Sequence, residues 1–288
     1  MLDPAAIAAI EDLELSARLV VEGFRTGQHR SPLHGFSAEF SQYRQYRPGD
    51  DLKHLDWKAL ARTDRLYTRQ FRETTNMSVM LVIDTSASMD YPRGGGVTKF
   101  QYARVIAAAL AYLIVTQGDA VGLMTIDGGR LSYLPARGGR VHLRALIARL
   151  GQLTPSGTWR PAEAITRGAD LLKRRGVIIA LSDFYDDEAE TARALRRVAR
   201  RGHDAAMLQV ISRDELAFPF DDDVEFEDAE SGERRLVSAA TVAREYRAGV
   251  ADFLAHCRSE AKRDGVDYAL FPTDIAPDRA LRSYLIKR

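Results

Sequence analysis

From residue 77 onward the chain alternates short apolar runs with longer helical stretches, and few architectures accept that pattern. Residues 79–83 (VMLVI) are apolar throughout, as a strand covered on both faces must be. Residues 99–117 carry helical spacing, 120–126 read as a strand, and 130–134 as a short strand beyond a Gly128-Gly129 turn. Helical patterns at 140–150 and 161–174 precede a buried strand at 177–181, a helix over 186–201 and a strand over 204–211. Buried strands separated by helices predict βαβ units. The expected fold class is therefore α/β, Rossmann-like and three-layered: a mostly parallel sheet with helices on both faces. A C-terminal β-hairpin at about 222–238 interrupts it, with 224–227 facing 235–237 across a Ser231-Gly232 turn. A helix from about 239 to 264, a strand over 267–271 and a helix from 277 finish the pattern.

The first 76 residues read differently. Residues 4–24 have helical spacing, with Pro4 suited to a first turn. Residues 25–65 are rich in Gly, His, Arg, Tyr and Asp and show no clear period, and 66–74 alternate as a half-buried strand does. The expectation is an N-terminal segment over 1–76, helical and irregular, followed by the α/β domain over 77–288.

At the end of the 79–83 run the chemistry changes abruptly. Asp84, Ser86 and Ser88 alternate, and strand carboxyl ends in a parallel sheet line the crevice where ligands bind. Two other segments carry similar groups: Gly157-Thr158 before a helix, and Ser182-Asp183 after the strand at 177–181. Two carboxylates and three hydroxyls, without His or Cys nearby in sequence, suit a hard divalent cation such as Mg²⁺; oxygen sites discriminate poorly between it and Mn²⁺. A polar turn that merely ends a strand is the plain alternative for Asp84-Ser86-Ser88 taken alone.

Bulk properties exclude several classes. Lys+Arg number 41 against 40 for Asp+Glu, a net charge of +1, which gives no electrostatic reason to expect nucleic acid or an anionic membrane. The single Cys257 allows no internal disulfide and fits a reducing compartment, and the six histidines show no zinc-like pairing. The N-terminus mixes acids into its apolar positions, unlike a signal peptide, and the longest apolar run, 105–115, is too short to span a bilayer. A cytoplasmic protein without membrane insertion is expected.

Asp-x-Ser-x-Ser at 84–88, Gly-Thr at 157–158 and Ser-Asp at 182–183 resemble the metal-ion-dependent adhesion site of von Willebrand factor A domains. The resemblance implies a metal set of Asp84, Ser86, Ser88, Thr158 and Asp183, with a partner's acidic side chain completing the coordination. The flanking segments 46–71, containing RPGDDLKHLDW, and 176–186, GVIIALSDFYD, together with the closing DYALFPTD, resemble a bacterial von Willebrand A-like family, domain of unknown function 58. The likeness runs from about residue 15 to 288. It implies a protein–protein interaction module that is not an enzyme, partner or adaptor of a MoxR-type AAA+ ATPase. Two other readings stand beside it. Asp84 as the nucleophile of a metal-dependent phosphohydrolase lacks the second acid two residues on, where Ser86 stands; the other is a metal-free scaffold.

The remaining signals read as structure. Residues 93–99 (RGGGVTK) lack the Gly-Lys-Ser/Thr end of a phosphate loop, so Lys99 reads as a first-turn helix residue. Asp127-Gly128-Gly129 reads as a hairpin turn, and Asp186, Asp187, Glu188 and Glu190 as a helix start. Arg193, Arg196, Arg197, Arg200 and Arg201 form a solvated helix face. His54 and Asp56 form a proton-relay pair only by spacing, and the Tyr43, Arg44, Tyr46, Arg47 cluster reads as packing of the N-terminal segment.

Overall fold

The computed structural model describes residues 3–8, 10, 12–25, 38–45, 66–73, 77–92, 96–127, 129–185, 188–229 and 231–287. They fall into two compact units: one from residues 1–32 and 78–288, the other from 33–77.

The larger unit is built on six strands: Ser78–Ile83 (β3), Ala120–Asp127 (β4), Arg130–Arg137 (β5), Val177–Ser182 (β6), Asp204–Ile211 (β7) and Asp267–Pro272 (β10). Their order is β10-β7-β6-β3-β4-β5, and every pair is parallel except the β4–β5 hairpin at one edge. The strands at the centre are those whose sequences are apolar without interruption: β6 is buried at all six positions, and β3 from Val79 onward. Such strands shed all their apolar surface only between two helical layers.

One layer contains Leu13–Arg25 (α2), Lys99–Thr116 (α3), Arg140–Gln152 (α4) and Pro277–Lys287 (α9); α2, α4 and α9 all contact α3. Helix α3 is long and apolar enough to cross a membrane, but it is a core helix here, with 13 of its residues buried. The other layer contains Pro161–Asp170 (α5), Glu188–Arg200 (α6) and Ala239–Arg263 (α8). Beneath it Met80 and Val82 of β3 join Met124, Ile165, Ile178, Leu195 and Cys257 in one apolar cluster. The expected Rossmann-like three-layer fold is the observed one.

The chain leaves β3 for β4 and β5 on one side, and reaches β6, β7 and β10 on the other. The neighbours β3 and β6 therefore mark the point where strand order reverses, and ligands of open α/β sheets bind outside strand carboxyl ends at such a point. The register aligns those ends, with Ile83 opposite Leu181.

Two expectations need correction. Residues 4–24 are not one helix but two, Pro4–Ala8 (α1) and α2. Asp12 starts the second, its Oδ1 accepting from the backbone N–H groups of Glu14 and Leu15 at 2.9 and 3.1 Å. Within the aperiodic 25–65 stretch, Ala38–Gln45 (β1) is a strand paired antiparallel with Tyr67–Glu73 (β2) in the second unit. Its register shifts between Phe40 and Gln42, and such a shift breaks the alternation by which a strand is read from sequence. The RPGDDLKHLDW segment, with His54 and Asp56, lies outside the described residues.

In the C-terminal third, Arg213–Ala217 (α7) is a short helix without apolar periodicity. The hairpin is present as Asp223–Glu227 (β8) against Arg234–Ser238 (β9).

Candidate metal centre at the strand switch

Strand β3 ends by handing its ladder to β6: the Asp84 N–H donates to the Leu181 carbonyl at 2.9 Å. Beyond it the side chains separate by parity. The Thr85 hydroxyl donates to the Ile126 carbonyl and stands 3.2 Å from the Thr125 hydroxyl, which anchors the loop to β4. Asp84, Ser86 and Ser88 form a connected chain of oxygens. Oδ1 of Asp84 accepts from the Ser86 N–H at 2.8 Å and the Ser86 hydroxyl at 2.7 Å, and the Ser86 and Ser88 hydroxyls lie 3.0 Å apart. From the adjacent strand, Ser182 donates its hydroxyl to Oδ2 of Asp84.

Asp84 is 1% exposed. Burial first, and the negative charge of Asp183 second, push its carboxyl up to about 7, against the hydrogen bonds from Ser182 and Ser86 that favour the ionised form. A carboxylate dehydrated to this degree is stabilised by whatever brings positive charge to it.

The loop carrying Thr158 is stitched to the same turn by two backbone bonds: Ser156 N–H to the Thr85 carbonyl at 2.7 Å, and Ala87 N–H to the Gly157 carbonyl at 3.0 Å. Gly157 has φ +67°, a left-handed conformation that a side chain disfavours. Trp159, 5% exposed, plugs into the apolar cluster under the sheet and fixes the loop from the other side. Thr158 itself is exposed.

Asp183 follows β6 and is 3% exposed. Its Oδ2 lies 2.6 Å from Nζ of Lys99, its Oδ1 accepts from the Tyr185 N–H at 3.2 Å, and its carbonyl accepts from Nε2 of Gln209 at 2.7 Å. Lys99 Nζ is also 2.6 Å from Oε1 of Glu215. The lysine side chain is 2% exposed. Burial works to lower its pKa, but Asp183 and Glu215 outweigh it and raise the value, so Lys99 is an ammonium.

The fold thus gathers Asp84, Ser86, Ser88 and Asp183 at one strand switch and ties the Gly157-Thr158 loop to the same turn. Sequence reasoning missed Lys99 and Glu215. The signals were present: a lone lysine opening the apolar KFQYARVIAAALAYLIVT helix, and two capping boxes, Thr98 with Gln101 and Ser212 with Glu215, which place both residues in first helical turns.

The oxygens suit a small hard cation. In an octahedron with bonds near 2.1 Å, adjacent ligand oxygens stand about 3 Å apart. The Asp84–Ser86 and Ser86–Ser88 separations of 2.7 and 3.0 Å match that edge. Among the described residues no group of three or more His, Cys, Asp or Glu is arranged to hold a metal, so any ion here depends on hydroxyls.

Comparison with known proteins agrees with the architecture. The model of the family described as Protein of unknown function DUF58 matches residues 42–256. The uncharacterized protein Rv1480 of Mycobacterium tuberculosis is 31% identical over 266 residues, 88% of this chain and 83% of its own length. An aerotolerance-related membrane protein from Bacteroides fragilis superposes with a TM-score of 0.50 at 18% identity, over 74% of this chain and all of that one. The SpRpn10 VWA domain gives a TM-score of 0.47 at 16% identity, over 74% and 96%. The chain belongs to the DUF58 family, as its flanking motifs led one to expect.

Proposed function

From membership in the DUF58 family, we propose that this chain is a metal-dependent protein-interaction module, not an enzyme, acting in a reducing, cytoplasmic compartment. Asp84, Ser86 and Ser88 would hold Mg²⁺ or Mn²⁺ directly, with Thr158 and, through a bridging water, Asp183 completing the set. The observation that carries the reading is the buried oxygen chain at the strand switch: a carboxylate 1% exposed, pushed toward neutrality, with two serine hydroxyls 2.7 and 3.0 Å along. Charge supports it. Three acids, Asp84, Asp183 and Glu215, meet one ammonium, Lys99, among the described residues, so the site favours further positive charge. A bound ion would supply an electrophilic position that a carboxylate from another protein can fill. The proposed partner is a protein offering such an acidic residue, specifically a MoxR-type AAA+ ATPase, on the strength of the family resemblance.

The test is co-purification of the full-length chain with that ATPase, with and without EDTA, using wild type and Asp84→Ala. Capture should depend on divalent metal and be lost in the variant. Capture indifferent to both chelator and substitution would overturn the reading.

A further inference from the structure

The site already contains one cation. Lys99 opens α3, yet its side chain is as buried as the core, and its ammonium lies 2.6 Å from each of two carboxylates on different elements. The Tyr185 and Tyr91 rings lie 5.3 and 5.9 Å from Nζ. Apolar side chains fill such a space more cheaply than an ion pair, whose desolvation offsets most of its Coulomb gain.

Each acid is also held from its far side. Asp183 Oδ1 accepts from the Tyr185 N–H, and Glu215 Oε2 accepts from the Ser212 N–H at 2.8 Å in its capping box. Asp183 is therefore an oriented, ion-paired carboxylate, while among the described residues Asp84 accepts only from neutral donors.

We propose that Lys99 is a positioning residue that keeps Asp183 in an ion pair instead of direct metal coordination, so that a small divalent cation is held by Ser86, Ser88 and a single directly bound carboxylate, Asp84. An ion held so sparingly is bound weakly and keeps its affinity for an outside carboxylate. The ammonium thus trades metal affinity for partner affinity. This inference rests on the reading of the site as a metal site.

The experiment is calorimetric titration of Mg²⁺ into the full-length wild type, Lys99→Gln, Lys99→Arg and Asp84→Asn. Glutamine keeps donors for both carboxylates while removing the charge. Lys99→Gln should bind Mg²⁺ roughly tenfold more tightly, Lys99→Arg should stay near wild type, and Asp84→Asn should lose binding. Unchanged or weaker binding in folded Lys99→Gln overturns the role of Lys99 and leaves the metal site standing. Heat in Lys99→Gln but not in wild type supports the role of Lys99 and overturns the metal reading for the native chain. No heat in either overturns both. Should Lys99→Gln fail to fold, Glu215→Gln carries the test: it leaves the ammonium less compensated, so Mg²⁺ binding should weaken roughly tenfold, and unchanged affinity overturns the proposal.

Discussion

The Ser182 hydroxyl donates to Asp84 Oδ2 across 98 residues of chain, joining the ends of the two neighbouring strands between which the sheet reverses its order. Together with the Asp84 N–H to Leu181 carbonyl bond, it makes two separate strand ends one site. Ser182 also accepts from the Phe184 N–H at 2.9 Å, so it shapes the backbone that presents Asp183.

Ser182→Ala should therefore leave both a buried carboxylate oxygen and a buried N–H without this partner. A loss of about 1–3 kcal/mol is expected, read by urea denaturation with unchanged m. A loss below a few tenths of a kcal/mol would mean that the bond does not hold the strand ends together.

Lys99→Met should be much more harmful than its location in a helix first turn suggests. It strands two acids, Asp183 and Glu215, of which the first is 3% exposed, and the expected cost is about 3–5 kcal/mol. The measurement is again chemical denaturation, without added metal. Lys99→Arg, which keeps the charge, should recover most of the loss.

Stability should depend on pH through Asp84. Its carboxyl is raised from 3.8 to about 7, so between those values the folded chain holds a proton that the unfolded chain has released. Folding stability from this group is fullest below the unfolded value, declines as pH rises from about 4, and levels off above about 7. Metal-free melting curves at pH 5 and 8 should show this decline in wild type, and Asp84→Asn should abolish that component. Saturating Mg²⁺ should restore stability at pH 8 more than at pH 5, since the ion needs the ionised carboxylate.

Gly157→Ala tests the second loop. A side chain at φ +67° costs about 1 kcal/mol of stability, and the strain falls on the segment hydrogen-bonded to Ala87. The thermal shift produced by Mg²⁺ should shrink in this variant, because Thr158 is presented by that loop. An undiminished shift would remove Thr158 from the metal set.

Much of the architecture was legible because it is local. Uninterrupted apolar runs announced β3 and β6 as central strands, and helical spacing announced α3 and α6. The failures have local causes too. Asp12 restarts a helix through its side chain, which apolar spacing does not register, and the irregularity at Phe40–Gln42 conceals a strand. The short helix α7 has no buried residue, hence no apolar period to read.

The candidate site divides along the same line. The sequence alone determined that oxygens stand at strand ends, because alternation after an apolar run is a property of neighbouring residues, and its motifs alone determined the family. Only the tertiary structure decided what those oxygens face. Strand order and register put Ser182 on Asp84, and helix packing sinks the Lys99 ammonium between Asp183 and Glu215, 84 and 116 residues away. No local pattern encodes such pairings. They exist because a parallel sheet brings distant strand ends together in a place where water is excluded, and there an unpaired charge is costly enough to select its partner.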